Sequence, residues 1–368
     1  MKFVHLSDLH IGKKINDFSM LEEQKYILNE IYEIIKNISP DGVIIAGDIY
    51  DKQVPSNEAV KVMDDFLVDL ANINTKVLLI SGNHDSAERI SFGARLMETS
   101  NVYMAKPYNG TVEKHRIEKD DVKCDIYMLP YIKPIHVRKY FENEDVITYN
   151  DAVKVVMDDL SLDTNNTNIL IAHQFVTGAI TSDSEEISIG GLDNVDGNLF
   201  NKFDYVALGH IHRPQQILRK EVRYAGSPLK YSFSESNHKK SITVLEVTKE
   251  GGIEIDLIPL EPRNDMREIK GSFDQIIGLQ NSDDYMHITL TDEEDIIDGL
   301  TKLREIFPNL MRLDYDNTRT RENKQVKGIE IDNNKTILEI FNEFYELQNN
   351  KVLNNEQNRY LQDLIDKL

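Results

Sequence analysis

Residues 2–12 read KFVHLSDLHIG, an apolar run followed immediately by polar side chains that bind metal ions well. Residues 2–6 are predicted to form a β-strand, and Asp8 and His10 come directly after it. Because residues two apart in extended backbone face the same way, the side chains of Asp8 and His10 can serve one centre. This stretch predicts an α/β fold whose functional site lies at the carboxyl end of a strand.

The alternation of strand and helix continues to about residue 251. A helix is predicted over residues 20–38, with Ser19 as its N-cap and Pro40 just beyond its end. Further strands are predicted over residues 42–46, 76–80, 102–104, 126–129, 168–172 and 205–208. Short apolar strands that alternate with amphipathic helices are typical of a layered α/β domain.

Five short segments place metal-binding side chains just after predicted strands. They are Ser7-Asp8-Leu9-His10, Gly47-Asp48-Ile49-Tyr50-Asp51, Gly82-Asn83-His84-Asp85, Ala172-His173 and Gly209-His210-Ile211-His212. Strand ends in open α/β sheets converge on one crevice, so we expect the five segments to meet there. His210 and His212 can serve one ion, or two ions if a turn separates them. The remaining histidines, such as His5 and His115, occur in no such segment and are expected to be packing or surface residues.

The composition limits both the partners and the metal ligands. Lys and Arg number 42 against 63 Asp and Glu, and the net charge of −21 argues against a long basic groove and against adhesion to an anionic membrane. A polyanionic substrate would therefore need positive charge from bound metals or from a partner. The single cysteine, Cys124, excludes a thiolate cluster and agrees with a reducing cytosol. Without a signal peptide or a run of about 18 apolar residues, we expect a cytoplasmic protein with no membrane span.

The pattern changes after Pro262. A small α+β unit is predicted from a strand, a helix and a strand over residues 285–290, 294–307 and 311–315. The tail carries two amphipathic helices, the first capped by Thr336 with Glu339 and the second ending in Leu368. We expect three parts, over residues 1–265, 275–332 and 336–368.

Two sets of helices leave alternatives open. The tail helices either pack on their own chain or dock another protein, and their periodicity fits both. The helices predicted over residues 56–70 and from Ala87 either pack on the parent sheet or form a dimer contact.

The ordered set D-x-H, G-D-x-x-D, G-N-H-D, H and G-H-x-H resembles the calcineurin-like metallophosphoesterase superfamily. Within it, the whole chain is similar to the SbcD family, the nuclease subunits of bacterial SbcCD complexes and counterparts of the eukaryotic meiotic-recombination nuclease. The flanking stretches that carry this likeness are KFVHLSDLHIG, LPYIKP, AHQFVTGA, YVALGHIHRP and YAGSPLKYSFSE. The resemblance implies a layered β-sandwich flanked by helices, a small α+β capping domain and a C-terminal helix pair.

The resemblance also implies the roles of the site residues. One ion would be held by Asp8, His10, Asp48 and His212, and a second by Asp48, Asn83, His173 and His210, with Asp48 as the bridge. Oxygen and nitrogen ligands without sulfur suit two Mn²⁺ per chain, with Fe, Zn or Mg as the alternatives. His84 would protonate the leaving 3′-oxygen or hold the phosphate.

Four further residues are candidates for supporting or substrate-binding roles. Asp51 is expected to contact a ligand without being one. Asp85 either orients His84 or supports the turn in which it lies. Ser227 and Lys230 either approach the DNA backbone or form a structural turn beside the metals.

The function implied is that of an Mn-dependent DNA nuclease subunit. Such subunits degrade duplex DNA from 3′ ends and cut hairpin or single-stranded DNA, in repair, replication and recombination. The SbcC ATPase would bind the C-terminal helices, and the chain would be a homodimer within a heterotetramer. Two other interpretations are a phosphatase or small-molecule phosphodiesterase and a non-catalytic scaffold; loss of ligands would mark the scaffold, and all seven are present.

Overall fold

Two six-stranded sheets form the centre of the larger unit, Met1–Met266. The structure, a computed structural model, describes residues 1–142, 144–185, 193–322, 337–349 and 352–365. In chain order the strands of this unit are β1 (Lys2–Leu6), β2 (Lys14–Ile15), β3 (Phe18–Ser19), β4 (Gly42–Ala46), β5 (Lys76–Ile80), β6 (Val102–Met104), β7 (Glu113–Lys119), β8 (Val122–Leu129), β9 (Thr167–His173), β10 (Tyr205–Gly209), β11 (Gln215–Ile217), β12 (Arg219–Tyr224), β13 (Ser241–Val247) and β14 (Ile253–Pro259).

Parallel strands dominate the middle of both sheets. The first sheet has the order β14-β13-β1-β4-β5-β6, in which β1, β4, β5 and β6 are parallel, and the second has the order β11-β12-β10-β9-β8-β7, in which β12, β10, β9 and β8 are parallel. All seven strands predicted for this unit are present. Because parallel strands end at the same edge, the loops that follow them gather there.

The two sheets pack face to face through one apolar core. It contains buried side chains from both sheets, including Phe3, Ile44, Leu78, Ile126, Ile171, Tyr205 and Leu245. A second cluster covers the other face of the second sheet and includes Val137, Val153, Val156, Leu170 and Val206. This arrangement confirms the layered sandwich with helices on its faces.

Helices cover the outer faces of the sandwich. They are α1 (Leu21–Ile38), α2 (Asn57–Asn72), α3 (Ala87–Ile90), α4 (Ala94–Met97), α5 (Pro134–Arg138) and α6 (Tyr149–Asp159). The predicted cap of α1 is wrong: Met20 is the N-cap, because Ser19 ends β3. Helix α2 packs against β5 of its own sheet, as one of the two alternatives predicted, while Val60 and Val68 on its other side stay about half exposed.

The second unit, Arg267–Leu368, contains a three-stranded sheet and the C-terminal helices. Its elements are β15 (Met266–Gly271), α7 (Phe273–Ile277), β16 (Tyr285–Leu290), α8 (Gly299–Ile306), β17 (Leu310–Tyr315), α9 (Thr318–Glu322), α10 (Ile337–Asn349) and α11 (Asn355–Ile365). Helix α8 starts five residues later than predicted, because Asp298 at its N-cap has a left-handed φ of 56°. The predicted cap Thr336 and the terminal Leu368 lie outside the described residues.

None of the helices in the described ranges has the length and apolar character needed to cross a membrane.

His5 connects the two sheets through a polar contact inside the core. Its Nδ1 lies 3.0 Å from the hydroxyl of Tyr205 on β10, and both side chains are fully buried. Burial lowers the pKa of His5 to about 3, so the folded protein keeps this imidazole neutral. In the unfolded chain a histidine has a pKa of about 6.5 and binds a proton at mildly acidic pH. The folded state therefore loses stability as the pH falls from about 6.5 toward about 3.

We expect replacement of His5 to flatten the pH dependence of stability. Between about pH 7.5 and about pH 5, the wild type should lose about 2 kcal/mol more unfolding free energy than a His5→Gln variant. Urea denaturation of both proteins at the two pH values measures this difference. Equal losses in the two proteins would show that His5 does not remain neutral in the fold.

Candidate metal centre

The seven predicted ligands lie together where β1, β4, β5, β9 and β10 end. Backbone hydrogen bonds join two of the loops: Asp8 N donates to Gly47 O at 3.0 Å, and His10 N donates to Asp48 O at 2.9 Å. Asp8, His10 and Asp48 have left-handed backbone, with φ of 53°, 45° and 50°, and His210 has a φ of 108°. Such conformations are costly for residues other than glycine, and they turn these side chains into the crevice rather than along a strand.

Two glycines allow the loops to approach one another. A Cβ on Gly47, which has a φ of +87°, would lie 2.5 Å from Nδ1 of His173. A Cβ on Gly82 would lie 2.1 Å from Oδ1 of Asp48. Only a residue without a side chain fits at either position, so these glycines are needed for the close packing of the candidate ligands.

The candidate ligands form two neighbouring groups, and the carboxylate of Asp48 contacts both. In the first, the ligand atoms of Asp8, His10 and His212 all lie within 4.8 Å of one another, and Nε2 of His10 is 3.0 Å from Nε2 of His212. In the second group, the ligand atoms of Asp48, His173 and His210 also all lie within 4.8 Å of one another. The Asp48 carboxylate lies between the groups, with Oδ2 3.2 Å from Nε2 of His173 and 3.6 Å from Nε2 of His10.

Asn83 completes the second group. Its Oδ1 lies 3.0 Å from Nε2 of His173 and 2.9 Å from Nδ1 of His210. On the other side of the ring, Nδ1 of His173 donates to the carbonyl of Ala46 at 2.8 Å, which fixes that imidazole with Nε2 toward Asp48 and Asn83. The sequence-predicted ligands are therefore all brought to one place.

Burial and mutual charge shift the pKa values of the cluster strongly. Burial lowers the pKa of His10 well below its usual value and that of His210 to about 3, so both rings are neutral, the form that binds metal ions. Burial also raises the pKa of Asp8 to about 6. Against the effect of burial, the imidazoles around Asp48 keep its pKa well below the usual range, and Asp48 in turn raises the pKa of His173 to about 9.

Several buried polar atoms of the cluster lack a hydrogen-bond partner among the described residues. They are Oδ2 of Asp8, Nδ1 of His10 and Nε2 of His210. The Nε2 atoms of His10 and His212 also face each other at 3.0 Å, with both nitrogens directed to the same point. Unpaired buried polar atoms are rare in folded proteins, and carboxylate, amide and imidazole donors suit divalent ions. The residues present therefore fit a divalent-metal centre.

His84 lies at the edge of this cluster and is only partly buried. Its backbone N–H donates to Oδ1 of Asp48 at 2.9 Å, and its ring packs edge-on against His10 with centroids 4.8 Å apart. Nδ1 of His84 lies 3.1 Å from the carbonyl of Asp51 and donates to it, which leaves Nε2 as the nitrogen without the hydrogen in the neutral ring. His84, His10 and Asp48 also form a third group that meets the 4.8 Å limit.

The two other acidic candidates have distinct contacts. Asp51 forms an ion pair of 2.8 Å with Lys13, and its Oδ1 lies 3.9 Å from Nδ1 of His10, too far for a hydrogen bond. Asp85 accepts the backbone N–H groups of Ile49, Tyr50 and Gly82 at 2.9–3.0 Å. These are the contacts expected of the turn-supporting alternative for Asp85.

Ser227 and Lys230 are engaged inside the protein. Ser227 is fully buried, and its hydroxyl donates to Leu229 O at 2.7 Å. Lys230 donates to Ser236 O at 2.6 Å and pairs with Asp265 at 2.8 Å. Of the two alternatives for these residues, the contacts match the structural turn.

A chain of hydrogen bonds that sequence reasoning missed orients His212. The hydroxyl of Ser184 lies 2.6 Å from Nδ1 of His212 and donates its one hydrogen to Glu235, so it accepts a hydrogen from His212. In the neutral ring, Nε2 of His212 is therefore the nitrogen without the hydrogen, and it faces His10. Lys240 holds the far oxygen of Glu235 at 2.5 Å, and both residues are buried. Outer partners of this kind fix the ring tautomer of a metal-binding histidine.

The loop after β1 is also supported by residues that were not predicted. Gln24 on α1 donates to His10 O at 2.7 Å and accepts from Gly12 N at 2.9 Å, and it contacts the hydroxyl of Tyr231 at 3.1 Å. Tyr231 and Glu235 lie in the YAGSPLKYSFSE stretch, which is the only signal the sequence offered for them. Nothing in the local sequence marks Ser184 or Gln24.

Comparison with protein families defines the class of this chain. A profile described as calcineurin-like phosphoesterase matches residues 1–214, more than half of the chain. A second profile, described as type 5 capsule protein repressor C-terminal domain, matches residues 262–349. The chain is thus a calcineurin-like phosphoesterase, a fold family whose members use divalent metal ions.

One relative makes the family assignment of this chain more specific. The SbcD subunit of the SbcCD nuclease of Staphylococcus epidermidis is 34% identical over 353 residues, which cover 93% of this chain and 92% of that protein. At this identity and coverage the chain belongs to the SbcD family. A solved structure of a dimetal phosphatase from Danio rerio is 10% identical and covers 72% of this chain and 96% of its own, with a TM-score of 0.44.

We expect the contact between Ser184 and His212 to matter for metal affinity. Replacing Ser184 with alanine removes the acceptor for Nδ1–H of His212, and loss of such a partner typically weakens metal binding by about 10- to 100-fold. Glu235→Gln should act in the same direction. Calorimetric titration of the metal-free protein with Mn²⁺ measures the change.

A serine in the same region provides the control. Ser234 anchors the Ser184 loop by accepting Asp183 N at 2.9 Å. If Ser234→Ala lowers the Mn²⁺ affinity as much as Ser184→Ala does, anchoring of the loop and not orientation of the ring is responsible.

Proposed function

We propose that this chain is an Mn²⁺-dependent DNA nuclease, the SbcD component of an SbcCD complex, which acts in DNA repair, replication and recombination. It works as a 3′–5′ exonuclease on duplex ends and as an endonuclease on hairpin or single-stranded DNA. The observation that carries this proposal is the buried cluster centred on Asp48, in a chain that is similar to an SbcCD nuclease subunit over 93% of its length.

The cluster would hold two Mn²⁺ ions. Asp8, His10, Asp48 and His212 would bind one of them. Asp48, Asn83, His173 and His210 would bind the other. When bound, such ions supply an activated water at neutral pH and offset the charge of the phosphate. Their positive charge would also offset part of the net charge of −21, which by itself would repel DNA.

His84 would act on the scissile phosphate, either as an acid–base catalyst or by holding the phosphate in position. Its ring is tied at Nδ1 to the carbonyl of Asp51 and packed against His10, so its position relative to the ligands is fixed. Nε2 lies on the opposite side of the ring from that tie and is the atom that would meet the substrate. In its protonated form, that atom can donate to the leaving 3′-oxygen or to a phosphate oxygen, and either interaction stabilises the transition state.

A digestion experiment tests the proposal. We expect the purified chain with Mn²⁺ to cleave a 3′-end-labelled duplex and a labelled hairpin, and a chelator to stop both reactions. His84→Ser should lower the rate of cleavage by about 100-fold or more while the protein still binds two ions. His115→Ser, a histidine on β7 outside the cluster, is the control and should cleave normally.

Two results would contradict the proposal. The first is that the fully metallated wild type, alone and with SbcC and ATP, leaves both DNAs intact but hydrolyses a simple phosphate ester. This outcome would favour a phosphatase or small-molecule phosphodiesterase, because the cluster alone does not select among phosphate esters. The second is undiminished cleavage by His84→Ser, which would remove His84 from the chemistry.

The C-terminal helices are the proposed docking site for the SbcC ATPase. Helices α10 and α11 contact each other, and a hydrogen bond of 3.4 Å joins Gln357 to Tyr345. Apolar side chains on both helices remain 40–68% exposed, namely Phe341, Phe344, Tyr360 and Leu364. Apolar groups exposed in such a cluster are typical of a surface that another protein covers. We assign residues 275–332 to the capping domain that would steer DNA.

A homodimer is proposed through the region of α2 to α4. Phe92 and Leu96 are 87% and 78% exposed, and Val60 and Val68 on α2 are 45% and 49% exposed. Large apolar side chains at such exposure are unusual outside interfaces when several occur in one segment.

We expect substitution of two of the exposed apolar residues to weaken binding to SbcC. Phe344→Ser combined with Leu364→Ser should lower the affinity by about 30-fold or more, the range for loss of central interface side chains. Ile147→Ser combined with Leu257→Ser removes side chains of similar or greater exposure elsewhere and should leave the affinity unchanged. Calorimetry with purified SbcC measures both, and equal affinities for the two double variants would place the contact elsewhere.

A further inference from the structure

A polar cavity of about 330 Å³ opens beside the candidate metal centre. Gly82 and Asn83 line it, and the side chain of Asn83 also belongs to the second group of candidate ligands. The cavity continues to the LPYIKP stretch and to α5, which contribute Tyr131, Lys133 and His136. A group held at the metal centre is therefore adjacent to this cavity.

Two lysines line the cavity in a strongly acidic protein. Lys133 and Lys139 both line it and are exposed, and in the described part of the chain neither lysine has a carboxylate partner within 4.0 Å. The two lysines also act on their neighbour: burial first, and then their charges, lower the pKa of His136. These cations are thus available to a ligand in the cavity.

The two acidic groups that line the cavity are already engaged. The carboxylate of Asp85 accepts three backbone N–H groups. That of Glu88 accepts the hydroxyl of Ser86 at 3.0 Å. Neither carboxylate forms an ion pair with Lys133 or Lys139 in the described part of the chain.

Aromatic rings line the same cavity. Tyr131, Tyr108 and Tyr140 contribute to its walls, and Tyr140 is 49% exposed. The ammonium group of Lys133 lies 6.0 Å from the centre of the Tyr131 ring. Cations that follow the backbone, combined with aromatic rings on which bases stack, are the features with which proteins bind single-stranded DNA.

We propose that this cavity binds the nucleotide next to the scissile phosphate on the strand that is cut. Lys133 and Lys139 contact its phosphate groups, and Tyr140 offers a face to its base. The ligand class is a single-stranded DNA segment, and the inference rests on the nuclease function proposed above. The cavity would thereby favour DNA over small phosphate esters, a choice that the metal ligands themselves do not make.

The test compares a substrate long enough to enter the cavity with one that is too small to do so. A single-stranded oligonucleotide extends into the cavity, whereas bis(p-nitrophenyl) phosphate is a small diester that carries no neighbouring nucleotide. We would measure kcat and KM for both with Mn²⁺, using the full chain and the double variant Lys133→Gln, Lys139→Gln. The matched control is Lys123→Gln, Lys220→Gln, which removes the same charge from two exposed lysines outside the cavity.

The cavity variant should lose preference for DNA. We expect its ratio of kcat/KM for the oligonucleotide to kcat/KM for the small diester to fall about tenfold or more, chiefly through KM. Each phosphate contact that is lost should also make the salt dependence of oligonucleotide binding shallower by about 0.7 in the slope of log K against log salt. Tyr140→Ala should weaken oligonucleotide binding by about fivefold or more if a base stacks on the ring.

Several results would overturn the inference. A ratio and a salt slope that match those of the wild type would exclude Lys133 and Lys139 from DNA binding. An equal effect in the control variant would show that only the overall charge matters. In both cases the wild type would still cleave DNA, so the proposed nuclease function would stand. A wild type that hydrolyses neither substrate, both alone and with SbcC and ATP, would instead refute the nuclease function, and this inference with it.

Discussion

The candidate site depends on one buried carboxylate, that of Asp48. It is 2% exposed, accepts the backbone N–H of His84 through Oδ1, and lies within 3.6 Å of imidazoles from two other loops through Oδ2. A charge at this depth is stable only when other groups compensate it. The surrounding histidines do so in part, which explains why the pKa of Asp48 is depressed while that of His173 is raised. Bound cations would complete the compensation.

The position of that carboxylate follows from the way the two sheets pack. Asp48 follows β4 in the first sheet, and His173 and His210 lie at the ends of β9 and β10 in the second. The hydrogen bond of 2.9 Å from His210 N to Asp8 Oδ1 joins the same two sheets. Both sets of parallel strands end at one edge, and each sheet contributes part of the ligand set there. Neither sheet alone could therefore assemble the centre. The left-handed residues and the close-packed glycines are the local cost of bringing the loops into contact.

Polar support extends well beyond the candidate ligands. Ser184, Glu235 and Lys240 orient His212, and Gln24 holds the loop that carries His10. Each of these side chains makes more than one hydrogen bond, and these bonds hold His212 and the loop of His10 in place. The cavity beside Asn83 has the opposite character, since its lysines are exposed and lack carboxylate partners among the described residues. The candidate metal centre, with its hydrogen-bonded side chains, and the cavity, with its exposed lysines, thus lie side by side.

The strands that carry the site could be predicted because each is a short apolar run next to a polar segment. All seven of those predicted in the larger unit are present, and the five motif segments do meet. Strand β7 was missed because most of its side chains are exposed, so it lacks the apolar run of a central strand. The start of α8 and the cap of α1 were wrong because a left-handed residue and a short hairpin, neither visible as periodicity, set those boundaries.

The sequence by itself determined the chemistry of the donor set, its order along the strands and the family resemblance. The tertiary structure decided which atoms of those residues face one another, that Asp85, Ser227 and Lys230 are occupied by structural contacts, and that Ser184 orients His212. These contacts join residues far apart in the chain, such as Ser184 and Glu235, which are separated by 51 positions. Local patterns carry information over a few residues, whereas the pairing of distant loops depends on how two sheets pack, and that packing is a property of the whole core.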